Sequence, residues 1–222
     1  MTYLIRGALV EYGEDFLGPI PNVVIFQFNP ETLTRIIQIP ERPTGADSRE
    51  ESQAGDVPVE KVTLTAYFSA ADKLGENDVL ARGFGIGPQL AALEKMVFPA
   101  GRLSGLIGEA LDAIGDAIFG GDDNPAQPTP REQYPRILFI WGPTRVQPVI
   151  IESMKIIEKQ YDNLLNPVHA EVVMRLAVMH IDPSSTDIIA KGAHEYTNLA
   201  KETLAATNLA NTAGQIGDII PF

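Results

Sequence analysis

Residues 59–69 read VEKVTLTAYFS, and their alternation decides the fold class. Val62, Leu64, Ala66 and Phe68 fall on one face of an extended chain, while Lys61, Thr63, Thr65 and Tyr67 fall on the other. A period of two in a run rich in β-branched and aromatic residues predicts a half-buried strand. The same alternation recurs in VHAEVVMRLAVMHID (168–182). There Val168, Ala170, Val172, Met174, Leu176 and Val178 share one face, with Glu171 and Arg175 opposite. RILFIWG (136–142) is a continuous apolar run that ends in a turn. VQPVIIESMKIIEKQYD (146–162) reads as a long bent strand, and Gly142-Pro143-Thr144 between the two is a hairpin signal. YLIRGALV (3–10) and VVIFQF (23–28) add two strands near the start.

Helix signals are fewer. Pro88 followed by QLAALEKMV predicts a short helix with Pro in its first turn, burying Leu90, Leu93 and Val97. In LSGLIGEALDAIGDAIFGG (103–121) the apolar residues Leu103, Leu106, Ile107, Ala110, Leu111, Ile114, Ala117 and Ile118 recur at helical spacing. The opposite face carries Glu109, Asp112 and Asp116, and Gly120-Gly121 stops the pattern. The stretch from Ser184 to about Ala210 is rich in Ala, Thr and Asn and predicts a partly helical segment. Residues 40–56 and 121–134 are Pro-, Gly- and charge-rich loops. The expected organisation is a β domain over residues 1–180, with a helical insertion at about 100–121 and a loop at 122–134. A C-terminal extension over 181–222 follows.

Composition narrows the function classes. With 222 residues, of which 45% are hydrophobic, the chain has enough apolar material for a real core. Lys and Arg number 17 against 29 Asp and Glu, a formal net charge of -12. That balance argues against nucleic acid and against an anionic membrane surface as partners. The absence of cysteine excludes disulfides, thiolate nucleophiles and zinc–thiolate sites, and it fits a cytoplasmic location. In MTYLIRGALVEYGEDF, Arg6 and the acidic residues break any signal-peptide pattern, and no apolar stretch approaches the about 20 residues of a membrane span.

The motifs of catalysis are missing from the sequence. His169, His180 and His194 have no metal-binding spacing. GFGIG (83–87) lacks the third glycine of a dinucleotide loop and reads instead as a turn into the Pro88 helix. GDDN (121–124) lacks the spacing of a calcium loop, and no serine sits in a G-x-S-x-G elbow. The expectation is no enzyme, no catalytic residue, no cofactor and no metal. A small β-rich hydrolase, working through a carboxylate pair that no motif singles out, is the alternative from another class.

Residues 26–33, FQFNPETL, join two extended runs. Asn29-Pro30 cannot continue the strand VVIFQF, and Leu33 opens the next run, LTRIIQI (33–39). This predicts a strand–turn–strand join, with the Asn29 side chain capping the turn. Trp141, at the end of its apolar run, is expected to cover one end of the fold.

The order FxFNPxxL, VTLTAYF, GIxPQLAALEKMVFP and PRILFIWGP resembles the tube-domain family of contractile injection systems, phage-tail-like machines that drive a spike through membranes. Within it, the chain is most similar to the baseplate adaptor, or tube initiator, that joins spike to inner tube. The matching residues are Phe28, Asn29, Pro30 and Leu33, then Leu90, Leu93 and Pro99, then Pro135, Phe139, Trp141 and Gly142. The resemblance implies a β-rich α+β fold: a flattened barrel of two packed antiparallel sheets with a flanking helix. It implies a homo-oligomer, a six-fold ring, whose partners are spike, inner-tube and baseplate proteins. An inner-tube or tail-terminator protein of the same machine is the neighbouring alternative. Residues 181–222 depart from the family. They lack the Gly-Asp-Thr-Leu and tyrosine-rich signature of the usual LysM module and end in IIPF. Ile219, Ile220 and Phe222 in this apolar tip are the expected partner contacts.

Overall fold

The computed structural model describes residues 5–12, 22–40, 57–76, 78–98, 135–182 and 184–219. The expected helix at 103–121, the loop at 122–134 and nearly all of the loop at 40–56 lie outside them, as do Pro99, Ile220 and Phe222. Seven strands and four helices are described: β1 (Ala8–Tyr12), β2 (Val23–Ile25), β3 (Leu33–Gln38), β4 (Val59–Ser69), α1 (Ala71–Gly75), α2 (Val79–Phe84), α3 (Gly87–Lys95), β5 (Arg136–Ile140), β6 (Val146–Tyr161), β7 (Pro167–Val178) and α4 (Ile188–Ile219). The fold is β-rich α+β. All seven strands join one antiparallel sheet in the order β2-β1-β5-β6-β7-β4-β3.

Alternation sets the register at the centre of this sheet. Leu64 pairs with Met174, Ala66 with Val172 and Phe68 with Ala170, so the apolar faces of β4 and β7 coincide. All six residues are buried. A slip of one residue would turn every one of them to the other face. β6 is the long strand expected at 146–162, and its bend has a cause. The register against β7 shifts between Ile151 and Ser153, leaving Glu152 as an extra residue, and such a bulge bends and twists a strand locally.

β2 and β3 follow each other in the chain yet occupy opposite ends of the strand order. Their join shows how the sheet accommodates this. Gln27 lies two residues beyond β2, and its Oε1 accepts a hydrogen bond from the Ser69 backbone N–H at the end of β4, at 2.7 Å. In a flat sheet β2 and β4 would stand five strand spacings apart, about 24 Å. Two residues supply about 7 Å of backbone, and the Gln27 side chain adds only part of the remainder. The sheet is therefore strongly curved, and its concave side holds one apolar cluster. Leu9, Val24, Phe26, Val62, Phe139, Val149 and Met174 meet there, with Leu33 of β3 packed against them.

α3 covers this core. Pro88 stands in its first turn, and Leu90 and Leu93 are buried as the sequence predicts. Met96, rather than Val97, completes the buried face. Within GFGIG, Gly83 and Phe84 close α2, and only Gly85-Ile86 form the turn into α3, which starts at Gly87. Gly85 has φ +58°, and the next residue's N–H bonds Pro167 O at 3.0 Å, docking the turn on the start of β7. α1 and α2 were not expected from the sequence. They are only one to two turns long, and α2 depends on the Asp78 carboxylate, which accepts from the Ala81 N–H at 2.9 Å.

Gly85 tests this docking. A Cβ there would stand 2.2 Å from Pro167 O, in a backbone conformation that disfavours side chains. Gly85→Ala should destabilise the protein by at least about 2 kcal/mol in chemical denaturation. A wild-type midpoint would mean that the turn is not seated on β7.

Candidate functional site

The FNP join is a clasp rather than a capped turn. Asn29 does not cap its own turn as expected. Its Oδ1 accepts from the Gly7 N–H at 3.1 Å and its Nδ2 donates to Ile5 O at 2.8 Å, tying the join to the chain just before β1. Phe26 N donates to Gly7 O at 2.9 Å, and its ring is fully buried. Pro30 is buried and Leu33 partly so, while Phe28 turns outward. The clasp thus bonds the chain entering β1 on one side and, through Gln27, the end of β4 on the other.

Trp141 closes the same end of the core. Its ring stacks on Phe139, with centroids 5.8 Å apart, and tilts against Phe26 at 6.4 Å. Gly7 lies beneath: a Cβ there would approach the Trp141 ring to 2.7 Å, so only glycine allows the contact. The Trp141 N–H donates to Arg145 O at 2.9 Å across the hairpin, and Gly142 takes φ +67° in the turn, as a hairpin glycine does. Pro135 is partly buried just ahead of β5. The residues singled out by sequence therefore fall into two sets. Asn29, Pro30, Phe139, Trp141 and Gly142 surround the clasp, whereas Leu90 and Leu93 serve the α3 core contact.

Outside the clasp, Phe28, Tyr67, His169 and Ala170 line an open groove of about 300 Å³, with Lys159 and Glu171 on its rim. Lys159 and Glu171 form an ion pair at 2.8 Å. The Ser69 hydroxyl accepts from the Ala71 N–H. The groove thus combines aromatic surface with an ion pair on its rim. His180 and His194 meet edge to face at 6.1 Å, and burial, followed by the charge of His180, lowers the pKa of His194. Among the described residues no three His, Asp or Glu side chains are grouped to hold a metal.

A polar hub that the sequence did not reveal sits at the start of β4. Glu60 Oε1 accepts from Arg35 Nε of β3 at 2.6 Å. Its Oε2 accepts from Gln147 Nε2 of β6 at 3.3 Å and lies 3.5 Å from Lys201 Nζ of α4. One carboxylate therefore links four elements. Burial alone would raise its pKa. The Arg35 hydrogen bond and the charges of Arg35 and Lys201 outweigh that and hold it below the ordinary value. A second anchor holds the start of α4. Asp187 accepts from the Ala190 N–H at 2.9 Å and from the Tyr12 hydroxyl at 3.1 Å, with Arg136 3.6 Å away.

Both ends of the sheet leave apolar side chains in solvent. β3 exposes Ile36 and Ile37, and Ile39 just beyond it is 80% exposed. β2 exposes Val23 and Ile25 while burying Val24. Edges with such residues are ready templates for another strand unless something covers them. The chain matches none of the protein-family models or curated proteins compared with it. Among the described residues, no helix is long and apolar enough to cross a membrane.

Two substitutions probe these contacts. Trp141→Ala removes a partly buried aromatic and should cost about 3 kcal/mol, lowering the thermal midpoint followed by circular dichroism. An unchanged midpoint with lost self-association would make Trp141 an interface residue. Glu60 has a lowered folded pKa. Its stabilisation is therefore present above the unfolded value of 4.5 and is lost as pH falls through the folded value below it. Glu60→Gln should be less stable than wild type in urea at pH 7, and the gap should narrow toward pH 3. A gap independent of pH would show that the Glu60 charge contributes nothing.

Proposed function

We propose that this chain is a structural ring component of a contractile injection system, linking the spike to the inner tube at the baseplate. In this reading it catalyses no reaction, is made in the cytoplasm, and assembles as a six-fold homo-oligomer contacting spike, inner-tube and baseplate proteins. The curved sheet would form a flattened barrel of two packed layers, closed at one end by the FNP clasp and Trp141. The resemblance in motif order brings the reading forward, and one structural observation carries it: the isoleucine-rich β3, an edge strand among the described residues. A strand with Ile36, Ile37 and Ile39 in water is an aggregation hazard for a monomer and an asset for a chain that pairs with its neighbour. Two unlike edge strands among the described residues, β2 and β3, suit head-to-tail contacts, which close into rings when the rotation permits.

Sedimentation velocity and electron microscopy of the purified chain test this. Rings of six are expected. Ile37→Lys and Ile39→Lys alter exposed positions, so monomer stability should change by less than about 0.5 kcal/mol while ring formation is lost. A monomer at every concentration, or rings unaffected by either lysine, would overturn the reading.

A further inference from the structure

The C-terminal helix has two unlike sides. At about 100° per residue, Ala190, Ala193, Thr197 and Lys201 lie along one line, and this line faces the body. Ala190, Ala193 and Thr197 are buried. The Thr197 hydroxyl bridges β6, accepting from Val146 N at 3.0 Å and donating to Val146 O at 2.6 Å. Beyond this anchor the helix leaves the body. From Lys201 to Asn211 every residue is exposed, although the helical backbone continues to Ile219. The 18 residues after Lys201 extend for about 27 Å.

This projecting stretch is a poor helix former. ETLAATNLANTAGQIGDI contains three threonines, two asparagines and two glycines, and an unsupported helix of this length is marginal in water. The hydroxyls of Thr203, Thr207 and Thr212 donate to carbonyls one turn back, at 2.8, 2.9 and 3.0 Å, so their protons are used within the helix. On one side apolar residues recur at heptad spacing, Leu199, Ala206 and Leu209, with Glu202 the polar member between the first two, while Leu204 lies on the opposite side. A heptad of this kind is the seam of paired helices. Leu199 and Leu209, 63% and 61% exposed, lie on the side of α4 away from β6. Charge also selects the occupant. The chain carries -12, but residues 199–219 hold only Lys201, Glu202 and Asp218, so identical copies repel least here.

We infer that residues 199–212 of α4 pair, parallel and in register, with the same segment of a second copy of this chain. Parallel pairing stacks Ala206 on Ala206 and Leu209 on Leu209, small layers alternating with large. It also keeps the two bodies at the same end. The inference shares with the proposed function the premise that copies assemble, but it uses a surface other than β3.

The chain contains no cysteine, so single cysteines report the contact. Leu209→Cys places a thiol on the seam, and Leu204→Cys places one at an equally exposed position on the opposite side. A disulfide needs Cα atoms about 4.4–6.8 Å apart, so under mild oxidation the Leu209→Cys chain should form covalent dimers at least about tenfold faster than the Leu204→Cys chain. Equal rates, or no dimer with Leu209→Cys, would overturn the pairing. Adding Ile37→Lys separates the two readings. Cross-linking that survives loss of the rings is the expected result. Cross-linking by Leu209→Cys in a protein that never forms rings would sink the ring reading alone. Rings without preferential cross-linking at Leu209→Cys would sink the helix pairing alone.

Discussion

The short tether between β2 and β3 is the constraint on which the rest of the structure depends. Two strands adjacent in sequence end up at opposite ends of a seven-stranded sheet, and the residues between them are bonded both to the chain entering β1 and to the end of β4. The sheet has to curve to satisfy both bonds. Curvature creates the concave side, the concave side gathers one apolar cluster, and Phe26 is driven into it directly from the tether. Trp141 and Gly7 are consequences of the same closure. Where two backbone segments and an indole meet so closely, one of the backbones has to lack a Cβ.

Polar groups fasten what the apolar core leaves loose. Glu60 joins strands β3, β4 and β6 to α4, and it can do so because three partners outweigh the cost of shielding one carboxylate from water. Asp187 performs a similar task at the first turn of α4, where it caps the helix and receives the Tyr12 hydroxyl. Burial and the neighbouring Asp187 charge push the Tyr12 pKa upward, so that hydroxyl remains a donor. The two anchors hold the first few turns of α4 firmly. From Lys201 to Asn211 every residue is exposed, so no packing among the described residues holds that stretch.

The surface divides by chemistry. Most of it belongs to a strongly acidic chain, which keeps copies apart. Exposed apolar side chains interrupt it at several places, among them the isoleucines of β3, Val23 and Ile25 of β2, and the nearly neutral outer half of α4. These uncovered apolar places are the surface features from which the proposed assembly is argued. They suit contact between proteins, where apolar area and matched edges matter more than reactive groups.

By itself the sequence determined the elements whose pattern is local. Alternation in 59–69 and 168–182 identified β4 and β7 with their buried faces, because a strand's period of two is written residue by residue. Pro88 and the spacing of Leu90 and Leu93 identified α3, and Gly142-Pro143 identified the hairpin. The same local reading saw that Asn29-Pro30 must end a strand. It assigned the asparagine a cap, the commonest local use of such a side chain, when its partners lie 22 and 24 residues away. Tertiary structure alone decided that β2 and β3 stand at opposite ends of one sheet, that Glu60 meets Lys201, and that α4 leaves the body after its third turn. Each of these depends on which strands become neighbours. That choice is made by the curvature of the whole sheet around a shared core, and it leaves no periodic trace in any single segment.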